Sequence, residues 1–186
     1  QHSQSVETHL ASGQTVHFVF YQESTQYWVK ATTGLPYYSK NGSEGAPAHG
    51  RYLYFDSSEK ANAVCAVLNS SLFYVYFIAY SDCFHLSDGI TIAFPLTSAI
   101  IADTNLAAAN TLLMNDLKSN AELKTIQTRD GDRIEYAEFF ASGSKPIIDR
   151  IDALLGQHYG FTVEELDFIQ NYDIKYRIGA DDDASD

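Results

Sequence analysis

Residues 61–80 have the sequence ANAVCAVLNSSLFYVYFIAY, a long and mostly apolar run near the middle of the chain. A membrane-spanning helix needs about 20 predominantly apolar residues, but two asparagines and two serines interrupt this run. We therefore predict a buried core helix from about Glu59 to about Tyr80. Its N-terminus can be capped by Asp56, Ser57 or Ser58.

The segments before this helix are typical of β-structure. Three stretches rich in β-branched and aromatic residues predict strands: TVHFVFYQ (15–22), QYWVKAT (26–32) and RYLYFD (51–56). The first two are expected to form a hairpin across residues 23–25. The stretch GLPYYSKNGSEGAPAHG (34–50) is rich in Gly and Pro and has little periodicity, which predicts a loop.

The segments after the core helix alternate between polar turns and apolar runs. Apolar periodicity, caps and turn residues predict these elements: a polar turn at 81–89, a strand at 90–95, a helix at 97–124, a turn and strand at 129–140, and helices at 142–160 and 162–173. Pro146 suits the first turn of the helix at 142–160, and Gly160 suits its end. Thr162 and Glu165 form the capping box of the next helix.

These elements predict an α+β fold with long core helices and a C-terminal helical segment. The length of 186 residues fits one domain. We expect an α+β domain at 1–127 and a helical segment packed on it at 128–179. The final residues, including the run ADDDASD, predict a disordered acidic tail at 180–186.

Charge and cysteine content exclude several classes of protein. The chain has 12 Lys and Arg against 24 Asp and Glu, a net charge of -12, which excludes nucleic-acid binding through bulk positive charge. The first 60 residues are close to neutral, so a local basic face is possible there. The two cysteines, Cys65 and Cys83, cannot supply a disulfide framework or a cysteine-only zinc site. A cytoplasmic location is expected.

Motifs for catalysis, metal binding and cofactor binding are not found in the sequence. It has no glycine-rich nucleotide loop and no His-Glu-x-x-His, and no two of its histidines are three or four residues apart. Cys83 and His85 can be a reactive pair or ordinary turn residues, and the latter interpretation is favoured. Acid–x–Lys triplets can hold Mg²⁺ in a nuclease, but on helices they are more often solvated face residues. They begin at Asp116, Glu122 and Asp173. We predict no catalytic, metal or cofactor residue.

Two long blocks of the chain resemble one family. NSSLFYVYFIAYSDCFHLS (69–87), followed by AFPL (93–96), resembles a stretch in the target-recognition domains of adenine-N6 DNA methyltransferases. The C-terminal run SKPIIDRIDALLGQHYGFTVEELDFIQNYDIKYRIG (144–179) resembles the end of large bacterial restriction–modification proteins that combine methylase and specificity regions. With YWVKATTGLPYYSKNG (27–42), the resemblance covers most of the chain.

The resemblance implies an α+β target-recognition fold, similar to that of type I specificity subunits. Such a domain reads a short sequence in double-stranded DNA while a separate methylase domain of the parent chain modifies an adenine. S-adenosylmethionine is then expected in that methylase domain, because its [N/D]-P-P-[Y/F] motif does not occur here. The first residue is Gln, which agrees with a piece of a longer chain.

The loop at 34–51 and the turn at 81–87 are the expected DNA-contacting segments. Lysine and arginine can meet phosphate or guanine, and tyrosine, serine and asparagine can position the backbone or read a base edge. The candidate DNA-binding residues are Lys30, Tyr37, Tyr38, Ser39, Lys40, Asn41, Arg51, Ser81 and His85.

Two other functions remain open. The acidic helices at 145–173 can serve a protein-interaction module without DNA contact. Scattered carboxylates can also build a small hydrolase or nuclease. DNA binding that weakens steeply with salt would favour the recognition domain over the interaction module.

Overall fold

The structure, a computed structural model, describes residues 4–25 and 27–178, and it confirms the predicted α+β fold. The predicted tail at 180–186 lies outside the described residues. The strands are β1 (His17–Gln22), β2 (Ala31–Thr32), β3 (Tyr38–Lys40), β4 (Ser43–Glu44), β5 (Gly50–Phe55), β6 (Glu122–Gln127) and β7 (Arg133–Glu138). The helices are α1 (Ser58–Asn69), α2 (Ser71–Tyr80), α3 (Asp88–Ala93), α4 (Ser98–Ile101), α5 (Thr104–Ser119), α6 (Lys145–Tyr159), α7 (Val163–Asn171) and α8 (Ile174–Ile178), after a short 3-10 helix at Val6–His9.

The first sheet is antiparallel, with the order β2-β1-β5, and packs on α1. Successive strand residues face opposite sides of a sheet. One face buries Val19, Tyr21, Leu53 and Phe55 in the main core. The strand at 15–22 is therefore confirmed. The expected strand at 26–32 is reduced to Ala31–Thr32, so the connection from β1 is longer than the predicted three-residue turn.

The predicted single core helix is wrong, because the chain bends by 65° between α1 and α2. Ser70 is extended and its Oγ accepts a hydrogen bond from the backbone N–H of Phe73 at 3.0 Å, so it caps α2. Asp152 on α6 accepts bonds from the next two backbone N–H groups, those of Ser71 at 2.9 Å and Leu72 at 3.3 Å. Within the described ranges, no single helix is long and apolar enough to cross a membrane, although α1 and α2 pass that test together.

The second sheet is antiparallel, with the order β4-β3-β7-β6. Its strands β3 and β4 lie inside the segment 34–50, so the prediction of a plain loop there is wrong. β7 confirms the predicted strand within 129–140. This sheet is much more exposed than the first: Leu123 is 64% exposed and Ile126 is 48% exposed.

Two further elements differ from the prediction. The strand predicted at 90–95 is wrong, because residues 90–93 belong to a helix, α3, which Ser87 caps by accepting from the N–H of Ile90. A short apolar run has the same composition in a strand and in a buried helix. The predicted single helix at 97–124 is three elements in the structure. Helix α4 ends at Ile101, α5 begins after its N-cap Asp103, and residues 122–124 belong to strand β6, which pairs with β7.

The C-terminal helices agree closely with the helices predicted from the sequence at 142–160 and 162–173. α6 has Pro146 in its first turn and ends at Gly160, which has φ 73°, and the capping box at the start of α7 is formed. The expected domain boundary between 127 and 128 lies between β6 and β7, which pair with each other. This domain boundary stays a prediction.

The last described helix returns to the N-terminal part of the chain. Arg177 on α8 is buried, lies 4.5 Å above the ring centroid of Tyr74, and donates from Nε to the carbonyl of Tyr27 at 3.2 Å. Tyr176 stacks on the Tyr27 ring at 5.8 Å. Tyr27 has φ 51°, an unfavourable value for a bulky residue. α8 therefore holds the backbone just before Lys30 in an otherwise disfavoured conformation.

Candidate functional site

The two sheets face each other across a cavity of about 300 Å³, which we call the inter-sheet cleft. The first sheet contributes Phe20, Gln22 and Thr32, and the second contributes Tyr38, Ile126, Ile134, Tyr136, Ala137 and Glu138. The connecting segments add Lys30, Pro36, Tyr37, Pro47, Ala48 and Phe139. The structure thus brings together three of the residues predicted from sequence: Lys30, Tyr37 and Tyr38.

The first wall of this cleft includes Phe20, a buried residue (1% exposed) at the end of an aromatic cluster. This cluster continues across the outer face of the first sheet, where Phe20 meets Tyr52 at 5.3 Å and Tyr52 stacks on Tyr54 at 6.0 Å between ring centroids. The Phe20 ring lies directly over Gly50, because a Cβ at that position would be 2.1 Å from it. The absence of a side chain at Gly50 therefore leaves room for the Phe20 ring against β5.

The segment Pro36–Tyr37 separates the inter-sheet cleft from a second cavity of about 390 Å³. Lys30 lines the first cavity and Lys118 lines the second. Neither lysine belongs to an ion pair among the described residues. The exposed Tyr37 thus lines both cavities, each of which also contains a lysine that has no ion-pair partner among the described residues.

The predicted contact residues on β3 and after it are already engaged with β7 and its preceding turn. Ser39 is 3% exposed, so its side chain is not offered to a ligand at the surface. Lys40 pairs with Asp132 at 2.6 Å, and this hydrogen bond raises the pKa of Lys40. Asn41, at φ 53°, donates from Nδ2 to Asp132 and accepts from the N–H of Arg133, both at 2.8 Å. Lys40 and Asn41 would have to exchange these partners to contact DNA.

The remaining predicted residues form a second, acidic group. Arg51 lies between Glu23 at 3.2 Å and Asp88 at 3.5 Å, and its hydrogen bond to Glu23 raises its pKa. His85 pairs through Nδ1 with Asp82 at 2.7 Å. Hydrogen bonds from the backbone and side chain of His85 lower the pKa of Asp82 to about 2, so this carboxylate is charged at neutral pH.

This second group is connected to the first sheet. The residue before His85 accepts a bond from the N–H of Thr25, and Leu86 donates to the carbonyl of Glu23. Ser81 accepts from the N–H of Cys83 at 3.1 Å. Because three carboxylates surround Arg51 and His85, this surface is less suited to DNA than the Pro36–Tyr37 segment.

The other sequence candidates have local partners. Cys83 contacts the carbonyl of Ile78 at 3.7 Å. Asp116 accepts from Ser144 at 2.6 Å, which accounts for the acid of the first triplet. Across residues 4–25 and 27–178, no three His, Cys, Asp or Glu side chains are grouped so as to hold a metal ion.

Sequence reasoning missed the second wall of the cleft and Lys118. Ile126 and Tyr136 reach the cleft only because β7 pairs with β3, which precedes it by about ninety residues. Lys118 was considered only as part of an acid–x–Lys triplet, and its position beside the Pro36–Tyr37 segment follows from the docking of α5. Neither position carries a local signal.

No protein-family model, curated protein or solved structure matches this chain.

Proposed function

We propose that this chain is the DNA target-recognition domain of a bacterial adenine-N6 DNA methyltransferase or fused restriction–modification enzyme, similar in fold to type I specificity subunits. The resemblance of 27–42, 69–87, 93–96 and 144–179 supports this function. The partners are double-stranded DNA and the methylase domain of the parent chain. S-adenosylmethionine belongs to that methylase domain, and the protein acts in the cytoplasm.

The observation that carries the proposal is that Tyr37 lines both cavities, together with Lys30 in one and Lys118 in the other. Phosphate contacts give affinity and base-edge contacts give specificity. The lysine in each cavity can meet a phosphate, while Tyr37 and its neighbours approach the base edges. The net charge of -12 repels DNA at long range, so the interaction depends on this local patch and is strongest at low salt.

The experiment is selection of duplexes from a random pool by this chain at low salt, followed by affinity measurement over a salt series. One short motif should be enriched. Lys30→Ala and Lys118→Ala should each weaken binding to all sequences and reduce the slope of log K against log salt by about 1. Arg150→Ala removes the same charge from an exposed position on α6 that lines neither cavity, and its slope should equal that of the wild type. Failure to enrich any motif contradicts the proposal.

A protein-interaction module is the second candidate function, and α7 favours it. Val163 is 81% exposed and Phe168 is 59% exposed, beside the acidic residues Glu164, Glu165 and Asp167. Exposed apolar side chains among charges are typical of a contact surface. In that case Phe168→Ala, and not Lys30→Ala, removes binding to the parent's methylase domain, and the random duplex pool yields no motif.

A further inference from the structure

We infer that the inter-sheet cleft receives one unstacked base of the bound nucleic acid. The inference rests on the proposed function and names the ligand more closely: a single nucleotide whose base enters the cleft and whose phosphate lies at its rim. DNA contact by the Pro36–Tyr37 segment does not by itself require such a base.

The size and walls of the cleft suit a planar aromatic group. Its volume of about 300 Å³ lies at the lower end of the range for small-molecule sites. Tyr38 and Tyr136, paired across β3 and β7, are partly exposed and supply the aromatic wall, whereas Phe20 of the other sheet is 1% exposed and lies buried in the opposite wall. A base presents a π-face whatever its identity, so aromatic walls accept any of the four bases by stacking.

The polar groups of the cleft suit the edge of a base. The Gln22 side-chain amide has both donors and an acceptor, and it has no hydrogen-bond partner among the described residues. Glu138 adds a carboxylate acceptor, 3.5 Å from Lys124. Such groups match the donor and acceptor pattern of a base edge.

The charge at the rim distinguishes a nucleotide from an aromatic side chain of a protein partner. Lys30 lines the cleft and has no carboxylate partner among the described residues. A nucleotide brings a phosphate that neutralises this lysine. A tyrosine or phenylalanine would fill the aromatic walls but leave the lysine without an anion. We therefore favour the nucleotide.

The test uses two matched substitutions on strand β6. Ile126→Trp adds bulk to a residue that lines the cleft, and Leu123→Trp adds the same bulk to the opposite face of the strand. Both positions are about half exposed or more, so both variants should fold, which their unfolding midpoints will verify. The probe is a short single-stranded oligonucleotide containing 2-aminopurine, whose fluorescence changes when the base stacks. A single strand is used because its bases are already largely unstacked.

Binding of the wild type should change the 2-aminopurine fluorescence. Ile126→Trp should abolish this change and weaken binding about tenfold, the loss expected for one base–aromatic stack. Leu123→Trp should behave as the wild type.

Other results overturn the inference and separate it from the proposed function. If the duplex pool yields a motif but both variants bind the oligonucleotide as the wild type does, the cleft inference is wrong and DNA recognition stands. If neither duplex nor single strand binds at low salt, the proposed function fails and the inference fails with it. If Ile126→Trp affects only binding to the parent's methylase domain, the cleft is a protein interface.

Discussion

The two sheets of this protein each contain a pair of six-residue strands but contribute to the fold in different ways. β1 and β5 bury Val19, Tyr21, Leu53 and Phe55 against α1, whereas β6 exposes residues on both faces. Burial of apolar surface is the main stabilising contribution to a fold. The first sheet is therefore part of the structural framework, and the second sheet places side chains beside a cavity at little cost to stability.

Truncation of one apolar side chain in each sheet should show the largest contrast. Phe55→Ala removes a fully buried ring and should lower the free energy of unfolding by about 3–5 kcal/mol. Leu123→Ala removes a side chain that is 64% exposed and should change it by less than about 0.5 kcal/mol. Urea denaturation of both variants measures the difference. Equal losses would show that the second sheet is also part of the framework.

The next prediction concerns how the free energy of unfolding depends on pH. Burial raises the pKa of Asp152, in the helical layer behind the first sheet, to about 6, which is above the value of about 3.9 in an unfolded chain. Between these values the folded state binds more protons, so this group's contribution to stability is present below about pH 4 and is lost as the pH rises through 6. The loss is at most about 3 kcal/mol.

Asp152→Asn tests this prediction. The amide oxygen can still accept from the N–H groups of Ser71 and Leu72, but the side chain no longer titrates. The free energy of unfolding, measured from pH 4 to pH 7, should fall less steeply in the variant than in the wild type. Identical slopes would assign the pH dependence to other groups.

Alanine substitutions at one glycine in or beside each sheet should differ in stability by a smaller amount. Gly50→Ala places a Cβ against the Phe20 ring and should cost about 1–3 kcal/mol through displaced packing. Gly45→Ala, just after β4, meets no atom within 4 Å and serves as the control. Thermal unfolding of the two variants gives the comparison. A Gly50 variant as stable as the control would mean that the Phe20 ring can move without loss.

The smallest effect is expected for the Lys40–Asp132 ion pair of the second sheet. Lys40 is 52% exposed at its side chain, so solvent screens the pair. A double-mutant cycle with Lys40→Ala and Asp132→Ala should give a coupling energy of about 0.2–1 kcal/mol, decreasing with added salt. A larger, salt-independent coupling would contradict the surface character of this sheet.

Local sequence signals predicted the parts of the fold that depend on neighbouring residues. The capping box at Thr162 and Glu165 and the glycine end of α6 involve contacts within a few residues, and both are confirmed. The core helix was predicted in the right place but without its bend. That bend depends on Ser70 as a local cap and on Asp152, which lies about eighty residues away.

The positions of the candidate-site residues depend more on contacts between distant parts of the chain than the helix ends do. Lys30, Tyr37 and Tyr38 were predicted and line the inter-sheet cleft. The other wall comes from β6 and β7, and its position follows from pairing between 38–40 and 134–136. Propensity cannot specify such pairing, because exposed strand residues gain their stability from the partner strand.

The contact between Arg177 and Tyr27 spans 150 residues and has a consequence for biosynthesis. A chain leaving the ribosome presents the segment around Lys30 long before β7 and α8 exist. Domains generally fold as units during synthesis, but this cleft gains its second wall and its clamp on Tyr27 only after β7 and Arg177 have been synthesised. Nascent chains that have not reached residue 177 therefore lack the finished cleft.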